Sequence, residues 1–328
     1  MTRLKIGLLS KKRGNFAIQE KFRGPTSVAD STYLEVEHHR EALRGAGFDV
    51  VPLDWSPGIL QDIQAAGVDL FFNVSSLAEA ALLEDLGLPF VGSDTSAIAV
   101  SLNKSLAKKL WLREGLPTSP FHLAGSEADF DAFREKPPLA FPLFVKPVAG
   151  RGSAGIDSSS VVHDYEELRR AAVHRLTMIR QPVLIEKFLR GREITLGVIG
   201  NEKARVLPPL EIAYRDGDVT LSFEKKELDD DTFFCPARLT SKESRMMTEL
   251  ALRAYHALGF RDYGRIDAIL TSEGPFLLEA NAFAGLMCTP RQKPHSYIGF
   301  MARAEGMDGK ALLGEIVGHA AARLGLGP

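Results

Sequence analysis

The chain has 328 residues, enough for two or three domains and a substantial core. Hydrophobic residues make up 45% and charged residues 25%, the balance of an ordinary globular protein, and a formal net charge of −2 argues against bulk affinity for nucleic acid or a membrane surface. Cys235 and Cys288 are too far apart for a disulfide framework or a metal spacing and read as thiols in a reducing compartment. No apolar run approaches the roughly 18–20 residues of a membrane span. The apolar part of the N-terminus is too short for a signal peptide, so a cytoplasmic location is the expectation.

Residues 4–9 read as a first strand. Asp30 or Ser31 caps a helix to about residue 46, which Gly47 ends. A strand over 48–53, a helix over 59–66, a strand over 68–74, a helix over 77–86 closed by Gly87 and a short strand over 89–92 follow. This alternation implies a parallel sheet with helices on its faces. The loop over 11–28 leaves the carboxyl end of the first strand, where ligands bind in open α/β sheets. Its Lys11, Lys12, Arg13, Lys21 and Arg23 suit an acidic ligand, or are a solvated basic loop.

Residues 103–114 form a helix with Leu102, Leu106, Leu110 and Trp111 as apolar positions, stopped by Gly115-Leu116-Pro117-Thr118. A helix over 126–133, a strand over 141–147, a helix over 165–175 and a strand over 183–188 come next. After Gly191 strands predominate, over 193–199, 205–212 and 219–223. Thr240 or Ser241 caps a helix through His256, and residues 309–324 form a closing amphipathic helix. Phe71, Phe72, Phe141 and Phe144 read as core, and the histidines, His38 and His39 among them, as surface or satisfied residues.

Three stretches carry chemistry. Ala149-Gly150-Arg151-Gly152-Ser153-Ala154-Gly155 follows the strand that ends at Lys146, and exposed amides with a hydroxyl can cradle phosphate. The spacing fits neither a Walker A loop nor a Rossmann fingerprint, and a plain surface turn is the alternative. Glu186, in the strand over 183–188, is placed to read a nucleobase edge, or is an ordinary strand charge. Residues 266–270 and 276–281 read as a hairpin about Thr271-Ser272-Glu273-Gly274-Pro275. Pairing Leu270 with Phe276 puts Asp267 opposite Glu279. Arg265, Asp267, Glu279 and Asn281 then share one face, and Ile266, Ala268, Leu278 and Ala280 the core face. Two carboxylates and a carboxamide suit a hard divalent cation, with a solvated hairpin face as the alternative.

In order, Lys104, Lys146-Pro147 with its glycine-rich loop, Glu186-Lys187-Phe188-Leu189, Gly191-Arg192-Glu193, Arg265-Ile266-Asp267 and Glu279-Ala280-Asn281 form a series that resembles the ATP-grasp enzymes, most of all the D-alanine:D-alanine ligase family. Asn103-Lys104, Phe234-Cys235-Pro236-Ala237-Arg238-Leu239 and residues 258–265 are similar too. The resemblance is strong from about residue 90 to 285 and weaker at both ends. It implies an α/β (α+β) ATP-grasp fold: an N-terminal parallel-sheet domain over 1–102, then two ATP-grasp subdomains over 103–185 and 186–328, the last with the metal site.

The resemblance also implies roles. Lys104 and Lys146 contact the phosphates of ATP, with Gly152 and Ser153 in the loop above them. Glu186, Lys187 and Leu189 border the adenine, and Glu193 binds the ribose. Lys226, with Lys225 as a substitute, is a phosphate-binding lysine. Asp267, Glu279 and Asn281 hold two Mg²⁺ ions, with Mn²⁺ as an alternative. Arg265, Ser153 and Lys226 are the implied catalytic residues. Arg265, Gly285 and Ser296 face the substrate. The implied reaction turns a carboxylate into an acyl phosphate, which an amine attacks to give an amide, ADP and phosphate. Loops over 148–155 and 216–231 are expected to close and exclude water.

The chain departs from the family at its substrate end. Ser10-Lys11-Lys12-Arg13-Gly14-Asn15 stands where members carry a glycine-rich loop with a serine and an ammonium-holding glutamate; Glu20, Glu35 and Glu37 are weak substitutes. Asn73-Val74-Ser75-Ser76-Leu77-Ala78-Glu79 replaces a His-Gly segment, and residues 282–294 replace a short substrate loop. The expectation is therefore a ligase acting on small amino acids or peptides through a rewritten pocket, with no nucleic-acid or membrane partner and with homodimerisation left open. A true D-alanine:D-alanine ligase is one alternative. A non-catalytic ATP-binding regulatory protein is another, against which the full set of Arg265, Asp267, Glu279 and Asn281 argues.

Overall fold

The computed structural model describes residues 3–10, 28–73, 77–135, 137–150, 155–213, 232–289 and 296–326. The first sheet contains β1 (Lys5–Ser10), β2 (Asp49–Asp54), β3 (Leu70–Asn73) and β4 (Phe90–Val91), all parallel in the order β2-β1-β3-β4. β1 and β3 are near-continuous apolar runs because both faces of the sheet are covered. On one face Leu43 of α1 (Val28–Gly45) packs with Ile6, Leu8 and the C-terminal helix. On the other, Ile59 and Ile63 of α2 (Ile59–Ala66) and Leu83 of α3 (Leu77–Asp85) pack on Leu9, Leu53 and Phe71.

Two short helices lead away from this sheet, α4 (Thr95–Leu102) and α5 (Lys104–Arg113). Asn103 separates them: its backbone is extended, and its side chain caps α5 by accepting from the amides of Ser105 and Leu106. The second sheet is antiparallel, in the order β5-β8-β6-β7. It holds β5 (Phe121–Ala124), β6 (Leu143–Pro147), β7 (Val161–Val162) and β8 (Val183–Lys187). α6 (Ala128–Glu135) and α7 (Tyr165–Ile179) cover one face through Phe130, Phe133, Leu168 and Ala172.

The third sheet runs β12-β11-β9-β13-β14, with β10 on β9. Its strands are β9 (Arg192–Ile199), β10 (Arg205–Val206), β11 (Leu210–Ala213), β12 (Thr232–Phe234), β13 (Tyr263–Thr271) and β14 (Gly274–Asn281). α8 (Ser241–Ala257) and α5 cover one face, with Trp111, Met247 and Leu250 against Ile266 and Leu277. α9 (Tyr297–Ala304) and α10 (Gly309–Leu324) close the chain, and Leu312, Ile316 and Val317 of α10 return to the core of the first sheet. Fully buried Asp262 ties these parts together: its carboxylate accepts from Gly92 N, Asn201 Nδ2 and the Arg323 guanidinium.

Most expected elements are present with small shifts of boundary. The strand expected over 205–212 is two strands, because Pro208 and Pro209 have no amide hydrogen to donate to a ladder. α4, β5, β7, β12 and α9 were not expected. The strand over 219–223 lies outside the described residues.

His39 of α1 is almost fully buried, edge-on to Phe72, with its ring nitrogen against the carbonyl of Glu35. Burial pushes its pKa from 6.5 down to about 4. Between those values the unfolded chain binds a proton that the folded chain refuses, so stability falls as pH drops through that window. The group accounts for about 3 kcal/mol of lost stability on going from pH 7 to pH 4. Urea unfolding at both pH values should show a smaller difference for His39→Leu than for the wild type; an unchanged difference would contradict the assignment.

Candidate active site

The hairpin at the edge of the third sheet carries the four polar residues singled out above, but its register differs from the expected one. Thr271 pairs with Gly274, Leu270 with Pro275, Ile269 with Phe276 and Ala268 with Leu277. The register then shifts between Ala268 and Asp267, and Asp267 pairs with Glu279. Leu278 is thus the extra residue of a β-bulge. The tighter turn displaces the pairing by one residue, and the bulge restores it, so Asp267 still faces Glu279. The correction falls on Leu278, which lines a cleft, while Leu277 is the fully buried core residue. β14 is an edge strand, and the outward groups of Leu277 are paired by another segment. Its amide donates to Pro117 O at 2.9 Å, and its carbonyl accepts from Thr118 Oγ1 at 2.7 Å.

On the polar face, Arg265 grips Asp267 with two nitrogens: Nε lies 3.0 Å from Oδ1 and Nη2 2.7 Å from Oδ2. Thr195 Oγ1 donates to Asp267 Oδ1 at 2.9 Å. Glu279 stands between two cations, with Arg265 Nη2 at 3.8 Å from Oε1 and Lys104 Nζ at 3.5 Å from Oε2. Burial and Glu279 push the Asp267 carboxyl up, against the pull of Arg265. Asn281, opposite Arg265, accepts from the Phe283 amide at 2.9 Å. The set of two carboxylates and a carboxamide fits a hard divalent cation, and the mutual repulsion of Asp267 and Glu279 is the condition that such a cation relieves. Among the described residues no group of three or more His, Cys, Asp and Glu is assembled for a metal.

The opposite wall comes from the second sheet. Lys146 on β6 and Glu186 on the adjacent β8 are both buried, with Lys146 Nζ 2.8 Å from Glu186 Oε2. Lys108 Nζ of α5 lies 2.8 Å from the other oxygen, Oε1. Burial works to raise the Glu186 pKa, yet the two lysines outweigh it and hold the carboxylate below its ordinary value. Burial likewise works against the Lys146 ammonium, but Glu186, Glu279 and Glu193 keep its pKa above the usual lysine value. Lys108, fully buried, is pushed down to about 8 by its burial, with Glu186 opposing.

Between the walls is a cleft of about 860 Å³, a figure that includes open solvent. Lys146, Glu186, Lys187, Leu189, Glu193, Arg265, Asp267 and Glu279 line it, so the structure gathers most of the expected residues. Phe144 and Phe188, near-parallel with ring centroids 6.5 Å apart, supply apolar surface. Lys104 joins through Glu279 and also donates to Gly150 O at 3.1 Å. Gly152, Ser153 and Lys226 lie outside the described residues.

Gly285 and Ser296 meet beyond the hairpin. Ser296 Oγ donates to Gly285 O and caps α9 by accepting from Gly299 N at 3.2 Å. A side chain at Gly299 would collide with Met287 O, so glycine there lets α9 lie directly on this loop. Glu35 is present too: a Cβ added at Gly285 would lie 3.5 Å from Glu35 Oε1 and 3.3 Å from Ser296 Oγ. Sequence reasoning missed Lys108, Thr118 and Thr195. For Lys108 a signal existed, since four residues from Lys104 is one helical turn and the same face.

Two solved structures share this arrangement of sheets. One is the D-alanine–D-alanine ligase of Bacillus anthracis complexed with ATP, with a TM-score of 0.75 and 21% identity over 99% of this chain and 100% of that one. The other is the VanG D-Ala:D-Ser ligase of Enterococcus faecalis, with a TM-score of 0.76 and 21% identity over 97% and 100%. At that identity the likeness establishes the fold, which is ATP-grasp. The sequence goes further. Residues 110–318 match the family described as D-ala D-ala ligase C-terminus. Over 326 residues the chain is 32% identical to the D-alanine–D-alanine ligase of Bordetella pertussis, covering 96% of this chain and 98% of that protein. The chain therefore belongs to the D-alanine–D-alanine ligase family of ATP-grasp carboxylate–amine ligases.

The bulge makes a test of register. Leu277→Ala should cost about 2–5 kcal/mol of stability, as large-to-small core changes do, and Leu278→Ala less than about half of that. Urea unfolding of both variants reads the difference. The reverse order would mean that Leu278, not Leu277, faces the core.

Proposed function

We propose that the chain is an ATP- and Mg²⁺-dependent ligase that joins the carboxylate of one amino acid to the amine of another, with D-alanine as the carboxylate substrate. One observation carries this reading: Lys146 with Glu186 on one wall of the cleft faces Arg265, Asp267 and Glu279 on the other. The names of the Bordetella pertussis relative and of the structural neighbours support ATP and D-alanine. The domain division we propose is 1–102, 103–187 and 188–328. The second boundary is moved to the end of β8, because a strand cannot be split between two sheets.

In this reading Lys104 and Lys146 hold the phosphates, with Gly152, Ser153 and Lys226 completing the phosphate site. The Phe144 and Phe188 side flanks the base with Glu186, Lys187 and Leu189, and Glu193 faces the ribose. Asp267, Glu279 and Asn281 would hold Mg²⁺, which when bound would offset charge on the transferring phosphoryl group. Arg265, fixed by Asp267, directs its guanidinium at the same charge. The substrate carboxylate attacks the γ-phosphorus, the bond to the ADP oxygen breaks, and an acyl phosphate forms. The amine then attacks the acyl carbon and loses a proton, and inorganic phosphate leaves as the acyl C–O bond breaks. Gly285 and Ser296 receive the substrate, and Glu35 is the acid we assign to its ammonium group.

Mass spectrometry of products from ATP, Mg²⁺ and a mixed pool of D- and L-amino acids tests the reaction. A D-alanine-containing dipeptide with matching ADP and phosphate is expected. Turnover with other amino acids but none with D-alanine would overturn the substrate, and no phosphate release with any would favour a regulatory protein.

Two sets of variants follow. Lys146→Ala should raise the ATP KM about tenfold or more, given roughly 1.5–3 kcal/mol for a hydrogen bond to a charged group, and Glu279→Gln should abolish turnover at any Mg²⁺ concentration. Wild-type behaviour of either would remove that residue from its role. Glu35→Gln should raise the KM of the first amino acid by about tenfold while leaving the ATP KM unchanged, and equal KM values for the amino acid would exclude it as the ammonium partner.

A further inference from the structure

Lys108 has a side chain with no exposure at all, yet it carries an ammonium group. It lies at the point where three separate segments meet. Its Nζ is 2.8 Å from Glu186 Oε1 on β8, donates to Thr118 Oγ1 at 2.7 Å, and reaches Leu277 O on β14 at 3.4 Å. Thr118 Oγ1 and Leu277 O accept hydrogen bonds from the ammonium, and Glu186 Oε1 stands against it as the ion-pair partner. Thr118 in turn donates to the same Leu277 carbonyl at 2.7 Å. Leu277 is the residue just before the bulge that turns Leu278 and Glu279 toward the cleft. Glu186 is the residue that pairs with Lys146.

We propose that Lys108 is a positioning residue for nucleotide binding, holding Glu186 and the β14 bulge in one frame so that Lys146 and Glu279 face the same ligand. The proposal rests on the reading of this cleft as the nucleotide site. Charge supports it as well as geometry. Two lysines share one carboxylate, so the group presents a net positive charge to the cleft. Without Lys108, Glu186 has Lys146 alone, the pair is neutral, and Lys146 is drawn toward Glu186 and away from phosphate. Removing one member of a buried ionic group costs stability, but here Glu186 keeps Lys146 as its partner. Lys108→Met is therefore expected to fold.

Calorimetric binding of ADP and steady-state kinetics on the full chain test this, with the wild type, Lys146→Ala and Lys108→Met side by side. Lys108→Met is expected to raise the ADP Kd and the ATP KM about tenfold or more, with the amino-acid KM unchanged and a lowered but still cooperative thermal transition; Lys108→Arg, which keeps the charge, should recover part of the loss. A folded Lys108→Met with wild-type nucleotide affinity would overturn the proposal. Should Lys108→Met fail to fold, Thr118→Val takes its place: a severalfold rise in ATP KM supports the proposal and an unchanged KM overturns it. If the wild type binds no ADP, or Lys146→Ala binds it equally well, the site reading fails and the proposal with it. If Lys146→Ala weakens binding and Lys108→Met does not, only the role of Lys108 is lost.

Discussion

Keeping a carboxylate ionised at the depth of Glu186 costs several kcal/mol unless cations stand against it. Here one oxygen meets Lys108 and the other meets Lys146, each at 2.8 Å. The three charges come from α5, β6 and β8, so their attraction also fixes how the helix and the second sheet sit. Removing either lysine leaves Glu186 one cation where it now has two, and one of its oxygens without a charged partner. Lys146 is thereby held in one orientation before any ligand arrives. Preorganised charge of this kind stabilises developing negative charge more than a mobile side chain on the surface could.

The hairpin obeys the same constraint from the other side. Asp267 and Glu279 face each other across two strands, and like charges in that position repel. Arg265 and Lys104 stand against them. Around the cleft, Lys104, Lys108, Lys146, Lys187 and Arg265 stand against Glu186, Glu193, Asp267 and Glu279, an excess of one positive charge. A polyanion that carries more charge than this must bring or find further positive charge. The oxygen donors on the hairpin are where a divalent cation fits that need.

Local pattern made much of this readable. The helix over 59–66 and the final helix over 309–324 match their expected limits, since apolar spacing and a closing glycine mark both. The polar face of the hairpin was readable because alternation is a property of the strand itself. The bulge was not. One added residue leaves no local trace, and it only shows as Leu277 buried and Leu278 facing the cleft. Lys108 was hidden for a similar reason. Followed directly by Lys109, it resembles a solvated helix face, and only the distant Thr118, Glu186 and Leu277 reveal its burial. Glu35 was one of three weak candidates in the sequence, and its nearness to Gly285 arises through tertiary packing alone. β5 was missed because only Ala124 of its four residues is buried, and α9 because it follows directly on the stretch read as an insertion.

An edge strand leaves polar groups that something must satisfy. At Leu277 the partners are Pro117 and Thr118, from the link between α5 and β5. That link joins the helix bearing Lys104 and Lys108 to the sheet bearing Lys146 and Glu186. The same hydrogen bonds that cover the edge of the third sheet therefore set its distance from the second. A change in how far the two sheets are separated must strain the Leu277 contacts, and with them the bulge that aims Glu279. The phosphate-facing wall and the cation-facing wall are consequently not independent surfaces. They share one buried ammonium, and the cleft keeps its shape only while both walls remain bound to it.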